Sequence, residues 1–580
     1  MCGILHDKNN NWQFTDYPMN DERVYEILAG VFAAERVSTC FALLGDANMN
    51  WAAAMAATGC DFVYVRHEHC AVAAAMAYSR TTGKVGVASV TCGPGLTQIM
   101  TALPAAVRAH IPLVIFAGEA PVKTSWYNQA IDQKPFVDAC GARYVRLQHQ
   151  KSMRKKIRDA FLLATTKKCP VVVGVPVDLQ NEVWQESLEY LASSVELVPT
   201  VAPLVPDSDS LSNAVAQIER AEKIVLMAGL GAINAGAGPA CKALAGQLGA
   251  LLATTLPAKG LFFDDAFSIG VAGGFSSDVA RKYLIDADLI IAFGSSLSSH
   301  NSDAGKLFSA DKVLQIDIEP HAISQGREAA KHHLCCDAKI GCDAISKLVA
   351  HRDTTHDNYW RSDLIAADIR DTPADSAEFA VEPDLLDPRE VVSTLDDLIP
   401  ENWFTVNSSG HCSCFFAQMK KRPADRFFTL REFGAIGNGL SFAMGVATAR
   451  PDERVVLFDG DGSLLMHIQE LETVLRHKMN MLIVVMNDGA YGSEVHKLRA
   501  EGLPEQGSVF GRPSFESIAK GFGATGSTVT SLNQLPALID QFSKPGNDGS
   551  TSVGDSCLAI IDVHVSDKVV SSVIRRSHQQ

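Results

Sequence analysis

Short apolar runs rich in β-branched residues recur along the chain, separated by stretches whose apolar residues fall at helical intervals. DFVYV, KVGVASVT and PLVIFAGE alternate in this way with CAVAAAMAYSR and MTALPAAVRAH between positions 21 and about 190. That alternation predicts a doubly wound parallel sheet. KIVLMAG, DLIIAFG and KVLQIDI carry it through a second block that ends near residue 350, and WFTV, RVVLF and NMLIVVM carry it through a third from about residue 386. Between the blocks, SSVELVPTVAPLVPDSDS reads as a Pro- and Ser-rich linker and HRDTTHDNYWRSDLIAADIRDTPADSAEF as a polar, acidic connector. The expected fold class is α/β, with three doubly wound parallel-sheet domains at 21–190, 200–350 and 386–570 and a linker at 351–385.

The third block carries the most specific chemistry. Gly460, Asp461 and Gly462 follow RVVLF, and Asn487 ends NMLIVVM; SLLMHIQELETVLRHK between them has helical periodicity. The unit reads strand, tight turn, helix, strand, which in a parallel sheet places both loops at the carboxyl edge where ligands bind. The two glycines allow close backbone approach, while Asp461 and Asn487 offer hard oxygen ligands to a hydrated divalent cation bridging to phosphate.

Composition agrees. A chain of 580 residues exceeds one core, and 47% hydrophobic with 20% charged residues describes a globular protein. A net charge of −15 with no basic run argues against nucleic acid, and an anionic cofactor would need a metal ion. Fourteen cysteines lie scattered without CxxC pairs; Cys335-Cys336 and Cys412-x-Cys414 lack zinc spacing, so buried reduced thiols are expected. The start, MCGILHDKNNNWQF, has no apolar core of a signal peptide and no segment reaches membrane-spanning length, so a cytoplasmic protein without membrane partners is expected.

GDG with Asn487 opening NDGAYG resembles the diphosphate and Mg²⁺ motif of thiamine diphosphate (ThDP) enzymes. The resemblance implies Asp461, Asn487 and Gly489 as metal ligands, with Gly460, Gly462, Ser463, Ala490 and Tyr491 at the cofactor. YVRHEHCAVAAAMAYSRTTGKVGVASVTCGPG resembles the cofactor-activating segment of the same enzymes: Glu68 matches the activating glutamate, with His69 beside it as a second catalytic candidate. A carboxyl group bonding the aminopyrimidine nitrogen promotes loss of the C2 proton, and burial would keep it protonated enough to do so. Read alone, Glu68 is an acid favoured by a helix N-terminus. Thr91 and Gly93, in the turn Thr91-Cys92-Gly93-Pro94-Gly95, are expected at the pyrimidine or substrate. Asn407, Ser408 and Ser409 are expected as donors to the diphosphate. REFGAIGNGLSFAMGVA resembles the segment whose bulky aliphatic residue wedges the cofactor into its bent shape, which is Ile436 by match.

The likeness spans about residues 21 to 570 in the block order of the acetolactate synthase and pyruvate decarboxylase group. It implies pyrimidine-binding, central and diphosphate-binding domains, small-molecule carbonyl substrates, and a homodimer or dimer of dimers in which the first block of one subunit faces the third block of the other. Glu494 falls where decarboxylase-like members carry an acid near the reacting carbon, with His496 and Lys497 as possible neighbours. The adjacent histidine pair of those decarboxylases is absent from WYNQAIDQKPFVDACGARYV. The activity expected is decarboxylation or cleavage of a 2-oxo acid with transfer of the acyl-anion equivalent to a second carbonyl. Aldehyde release or C–C lysis is the alternative, and a nicotinamide-binding or non-catalytic Rossmann-type protein is a remote one. The run Gly229-x-Gly231-x-x-Asn234-x-Gly236 lacks the third glycine of a dinucleotide fingerprint; FAD in the central block is left open and not favoured.

Overall fold

A computed structural model describes residues 22–351, 360–543 and 557–577, with two-residue strands Leu5–His6 and Trp12–Gln13. Residue 21, residues 352–359 in the connector, and 544–556 in the third expected block lie outside the described residues. Three six-stranded parallel sheets form the frame. The first holds β1 (Thr39–Ala42), β2 (Asp61–Tyr64), β3 (Gly86–Val90), β4 (Leu113–Glu119), β5 (Arg143–Arg146) and β6 (Pro170–Pro176), in the order β2-β1-β3-β4-β6-β5. The second holds β7 (Ile224–Ala228), β8 (Leu251–Thr254), β9 (Ser268–Val271), β10 (Leu289–Phe293), β11 (Val313–Asp317) and β12 (His332–Cys335), ordered β9-β8-β7-β10-β11-β12. The third holds β13 (Phe404–Asn407), β14 (Phe427–Thr429), β15 (Val455–Gly460), β16 (Met481–Asn487), β17 (Thr525–Val529) and β18 (Leu558–His564), ordered β14-β13-β15-β16-β18-β17. Every residue of β3, β4, β6, β7, β10 and β16 is buried, as expected of strands covered on both faces.

The chain groups into two compact units, 1–200 with 431–452 and 465–481, and 201–430 with 453–464 and 482–580. The first unit therefore combines the first sheet with two helices drawn from the third block, Gly439–Ala449 and Glu470–Arg476. At its centre lies the helix Glu68–Thr82, capped at its start by His67, whose Nδ1 accepts the His69 N–H at 3.1 Å, and stopped by Gly83 at φ +72°. From His69 to Ser79 every residue is buried, so this stretch of the helix is covered on all sides. Gly439–Ala449 crosses it so closely that a Cβ on Gly445 would lie 2.1 Å from the Ala74 carbonyl oxygen.

Two local expectations change. SLLMHIQELETVLRHK forms two helices, Asp461–Met466 and Glu470–Arg476, with a turn at 467–469. The connector contains a helix, Asp363–Asp371, started by the Ser362 hydroxyl accepting from the Ile365 N–H. The glycine run after β7 is a packing device: a Cβ on Gly229 would meet the Gly294 oxygen at 2.2 Å, and the Gly231 N–H already donates to that oxygen at 2.9 Å. The described cysteines are all free thiols, most of them buried, with Cys335 exposed. Among the described residues no helix is long and apolar enough to cross a membrane.

Candidate active site

In the second unit the strand order reverses between β13 and β15, since the chain passes from β13 to the edge strand β14 before returning to β15. Such a reversal opens a crevice at the carboxyl ends of the two strands. Ser408 after β13 and Ser463 after β15 are both buried there, their hydroxyl oxygens 3.3 Å apart. Ser409 is buried beside Ser408. Asn407 instead turns its amide N–H to the Ser413 carbonyl at 3.1 Å, and its Oδ1 has no partner among the described residues.

Asp461 ties the neighbouring loops together. Its Oδ1 accepts the Gly462 N–H and its Oδ2 the Gly489 N–H, both at 2.7 Å. Burial pushes its carboxyl up to about 7, opposed by these N–H donors and by Arg512. Asp459, fully buried, is also pushed up to about 7, and Asp488 is raised by burial and by the charge of Asp461. The Asp461 charge is thus felt by both neighbours, although among the described residues no group of three or more His, Cys, Asp or Glu side chains is arranged to hold a metal ion.

Asn487 is 0% exposed, and its orientation is set by its neighbours. Its Nδ2 donates to Asp562 Oδ1 at 2.8 Å and to the Pro513 carbonyl at 3.0 Å. Both partners only accept, so the amide nitrogen must face them and Oδ1 must point the other way. That buried oxygen has no partner among the described residues, the state expected of a metal-ligating atom lacking its ion. Gly489 behaves differently from the expectation: its carbonyl already accepts from Phe510 and Gly511, both at 3.0 Å. Asp461 and Asn487 thus fit a hard divalent cation, while the Gly489 carbonyl is not presented free. Gly489 has φ +78°, which explains the glycine. Gly460 leaves room for Cys412 Sγ, 3.3 Å from where a Cβ would sit. Tyr491 lies across Gly462, where a Cβ would come within 2.6 Å of the ring, and Ala490 is buried with its N–H on Asp488.

Glu494 and Lys497 face outward on the helix Gly492–Glu501, their side chains 56% and 50% exposed and 3.9 Å apart. His496 faces inward against the His411 ring, 4.6 Å between centroids, and burial pushes it down to about 4.

In the first unit the order reverses between β1 and β3, and the loops after them touch: the Ala47 N–H donates to Thr91 Oγ1 at 3.3 Å. Gly93, at φ +59°, gives its N–H to Gln133 Oε1 at 3.0 Å, so it serves the turn rather than offering a free donor. Glu68 opens its helix half-buried, and desolvation raises its carboxyl, as the activating role requires. No other side chain hydrogen-bonds it among the described residues, and Oε1 lies 3.4 Å from where a Cβ on Gly95 would be. His69 is buried, bonds Asn438 Oδ1 through Nε2, and stacks on His467 at 4.9 Å and 8° between rings. Desolvation pushes it down to about 4. Ile436, half-buried, occupies the turn just before Gly437 and Asn438.

Sequence reading missed Asp459, Asp488 and Asp562, acids inside or ending apolar runs, which is itself a usable signal. It also missed Asn438, His467 and Glu470, whose partners lie hundreds of positions away.

Comparison with known proteins agrees with this geometry. Family models described as thiamine pyrophosphate enzyme N-terminal TPP binding domain, central domain and C-terminal TPP binding domain match residues 22–136, 211–348 and 408–553. The acetolactate synthase large subunit of Parasynechococcus marenigrum is 28% identical over 531 residues, covering 87% of this chain and 80% of its own. Acetolactate synthase 1, chloroplastic, of Oryza sativa subsp. japonica is 28% identical, covering 90% and 83%. The acetolactate synthase isozyme 2 large subunit of Escherichia coli is 28% identical, covering 87% and 91%.

Proposed function

We propose that this chain, which belongs to the thiamine pyrophosphate enzyme family, is an acetolactate synthase-like enzyme that cleaves a 2-oxo acid and transfers the acyl-anion equivalent to a second carbonyl. When bound, ThDP supplies the electron sink for breaking a bond next to a carbonyl. Asp461 and Asn487 Oδ1, which has no partner among the described residues, would hold Mg²⁺, and the Ser408 and Ser463 hydroxyls would donate to the diphosphate. With ThDP bound, Glu68 would share a proton with the aminopyrimidine nitrogen, Thr91 would border that ring, and Ile436 would serve as the wedge that the resemblance implies. The observation that carries this reading is the buried, partnerless Asn487 oxygen beside the Asp461 loop.

Ligation is favoured over aldehyde release because the relatives are acetolactate synthases and because Glu494, in the single chain, faces outward beside Lys497. A homodimer or dimer of dimers in the cytoplasm belongs to the same proposal, and FAD in the central block is left open and not favoured. Native mass spectrometry should find ThDP and Mg²⁺ with the protein, and a flavin would show in its visible absorbance. A screen of 2-oxo acids should give CO₂ and a 2-hydroxy ketone in step. A protein that binds no ThDP, or one that yields aldehyde alone with an acceptor present, would overturn the corresponding part.

A further inference from the structure

β2 is an edge strand, so the backbone groups on its outer side have no strand to pair with. A segment from the third block takes that place. The Tyr64 N–H donates to His477 Nε2 at 3.2 Å, the Tyr64 carbonyl accepts from Arg476, and the Arg66 N–H donates to Glu470 Oε1 at 2.9 Å. Glu470 is 0% exposed, and its other oxygen accepts from the Thr473 hydroxyl at 2.6 Å. Three residues before Glu470, His467 stacks on His69 and lies edge-on to His67 at 5.2 Å. Its Nδ1 bonds the Gly437 carbonyl at 2.8 Å. Gly437 has φ +86°, and a Cβ there would lie 3.2 Å from that same Nδ1, tighter than ordinary contact. Glu68 is therefore flanked on both sides by residues whose backbone or ring is fixed from 467–477.

We infer that Glu470 and His467 are positioning residues that aim the Glu68 carboxyl, Glu470 through the Arg66 amide and His467 through the His69 ring and the Ile436–Gly437 turn. The inference rests on the reading of Glu68 as the activating carboxyl. Neither residue is asked to touch the substrate. Glu470 must be an acceptor because what faces it are donors, and a glutamine retains one carbonyl oxygen for the Arg66 N–H.

The test uses the ThDP- and Mg²⁺-loaded protein and two readouts besides turnover. Glu470→Leu should slow C2 hydrogen–deuterium exchange on bound ThDP by about 10- to 100-fold, the scale of loss for a misaimed group. ThDP affinity should stay within about threefold, because the diphosphate is held elsewhere. In the apo protein, amide exchange should quicken in the peptide carrying Arg66, and Glu470→Gln should restore both readouts most of the way. A folded Glu470→Leu protein with parental C2 exchange overturns the inference. Should near-UV circular dichroism show that variant unfolded, His467→Asn decides: the amide keeps a donor for Gly437 but removes the ring from His69, and parental exchange there overturns the inference equally. Glu68→Gln separates the two levels. If it also exchanges at the parental rate, the activating role itself fails; if it is slow while the positioning variants are normal, only the inference falls.

Discussion

At the scale of single residues, Asp461 combines a structural contact with a proposed ligand role. Its side chain bridges two loops through backbone N–H groups, and in the proposed reading it would also hold the cation. Asp461→Ala should lose ThDP- and Mg²⁺-dependent turnover while its far-UV circular dichroism matches the parent; full turnover at ordinary cofactor concentrations would refute the assignment. Glu494→Gln should leave the product ratio and rate unchanged if the exposed pair with Lys497 is all that residue makes. A shift from aldehyde toward hydroxy ketone would instead give it the proton-donor role. His69 sets a pH dependence. Its folded value is held near 4, below the ordinary 6.5, so the unfolded chain takes up a proton first as pH falls. Its contribution is intact above pH 6.5 and lost on the way down to about 4. Between pH 7 and 5 the apo protein should lose about 2 kcal/mol through this group, and His69→Gln should remove that part of the loss in urea titrations. Asp459 and Asp461, held high, act in the opposite sense, which is why the variant must be compared with the parent.

At the scale of elements, the contact between Glu68–Thr82 and Gly439–Ala449 is set by small side chains. Gly445→Val would push a branched side chain into the Ala74 carbonyl and should cost about 1–3 kcal/mol, read as a lowered urea midpoint. A midpoint equal to the parent's would mean that the helices separate without loss. The strands were legible because parallel sheets bury both faces, leaving unbroken apolar runs such as MLIVVMN. The break at 467–469 was not, because its cause is tertiary: His467 is drawn to Gly437, thirty positions back. The Asp363–Asp371 helix was hidden by a composition typical of linkers. Within the candidate site, the placement of Asp461 and Asn487 on adjoining loops was legible from spacing and strand context. The occupation of the Gly489 carbonyl by Phe510 and Gly511 was not, since it depends on how a distant loop folds back.

At the scale of the whole molecule, the subunit arrangement implied by resemblance makes a sharp prediction. If Glu68 and Asp461 of one reaction centre come from different subunits, mixing inactive Glu68→Gln and Asp461→Ala proteins under conditions of subunit exchange should restore part of the activity. If they come from one chain, no mixture should recover any. Light scattering on the parent would report the oligomer directly. The chain's own order of synthesis adds a further constraint. The helix Glu68–Thr82 is buried on every side, yet one of the surfaces covering it belongs to residues 439–449. Hundreds of residues must leave the ribosome before that cover exists, so the nascent first block carries an open apolar seam for most of translation. Its early sheet is then a client for holdase chaperones, and the last third of the message decides when it is released.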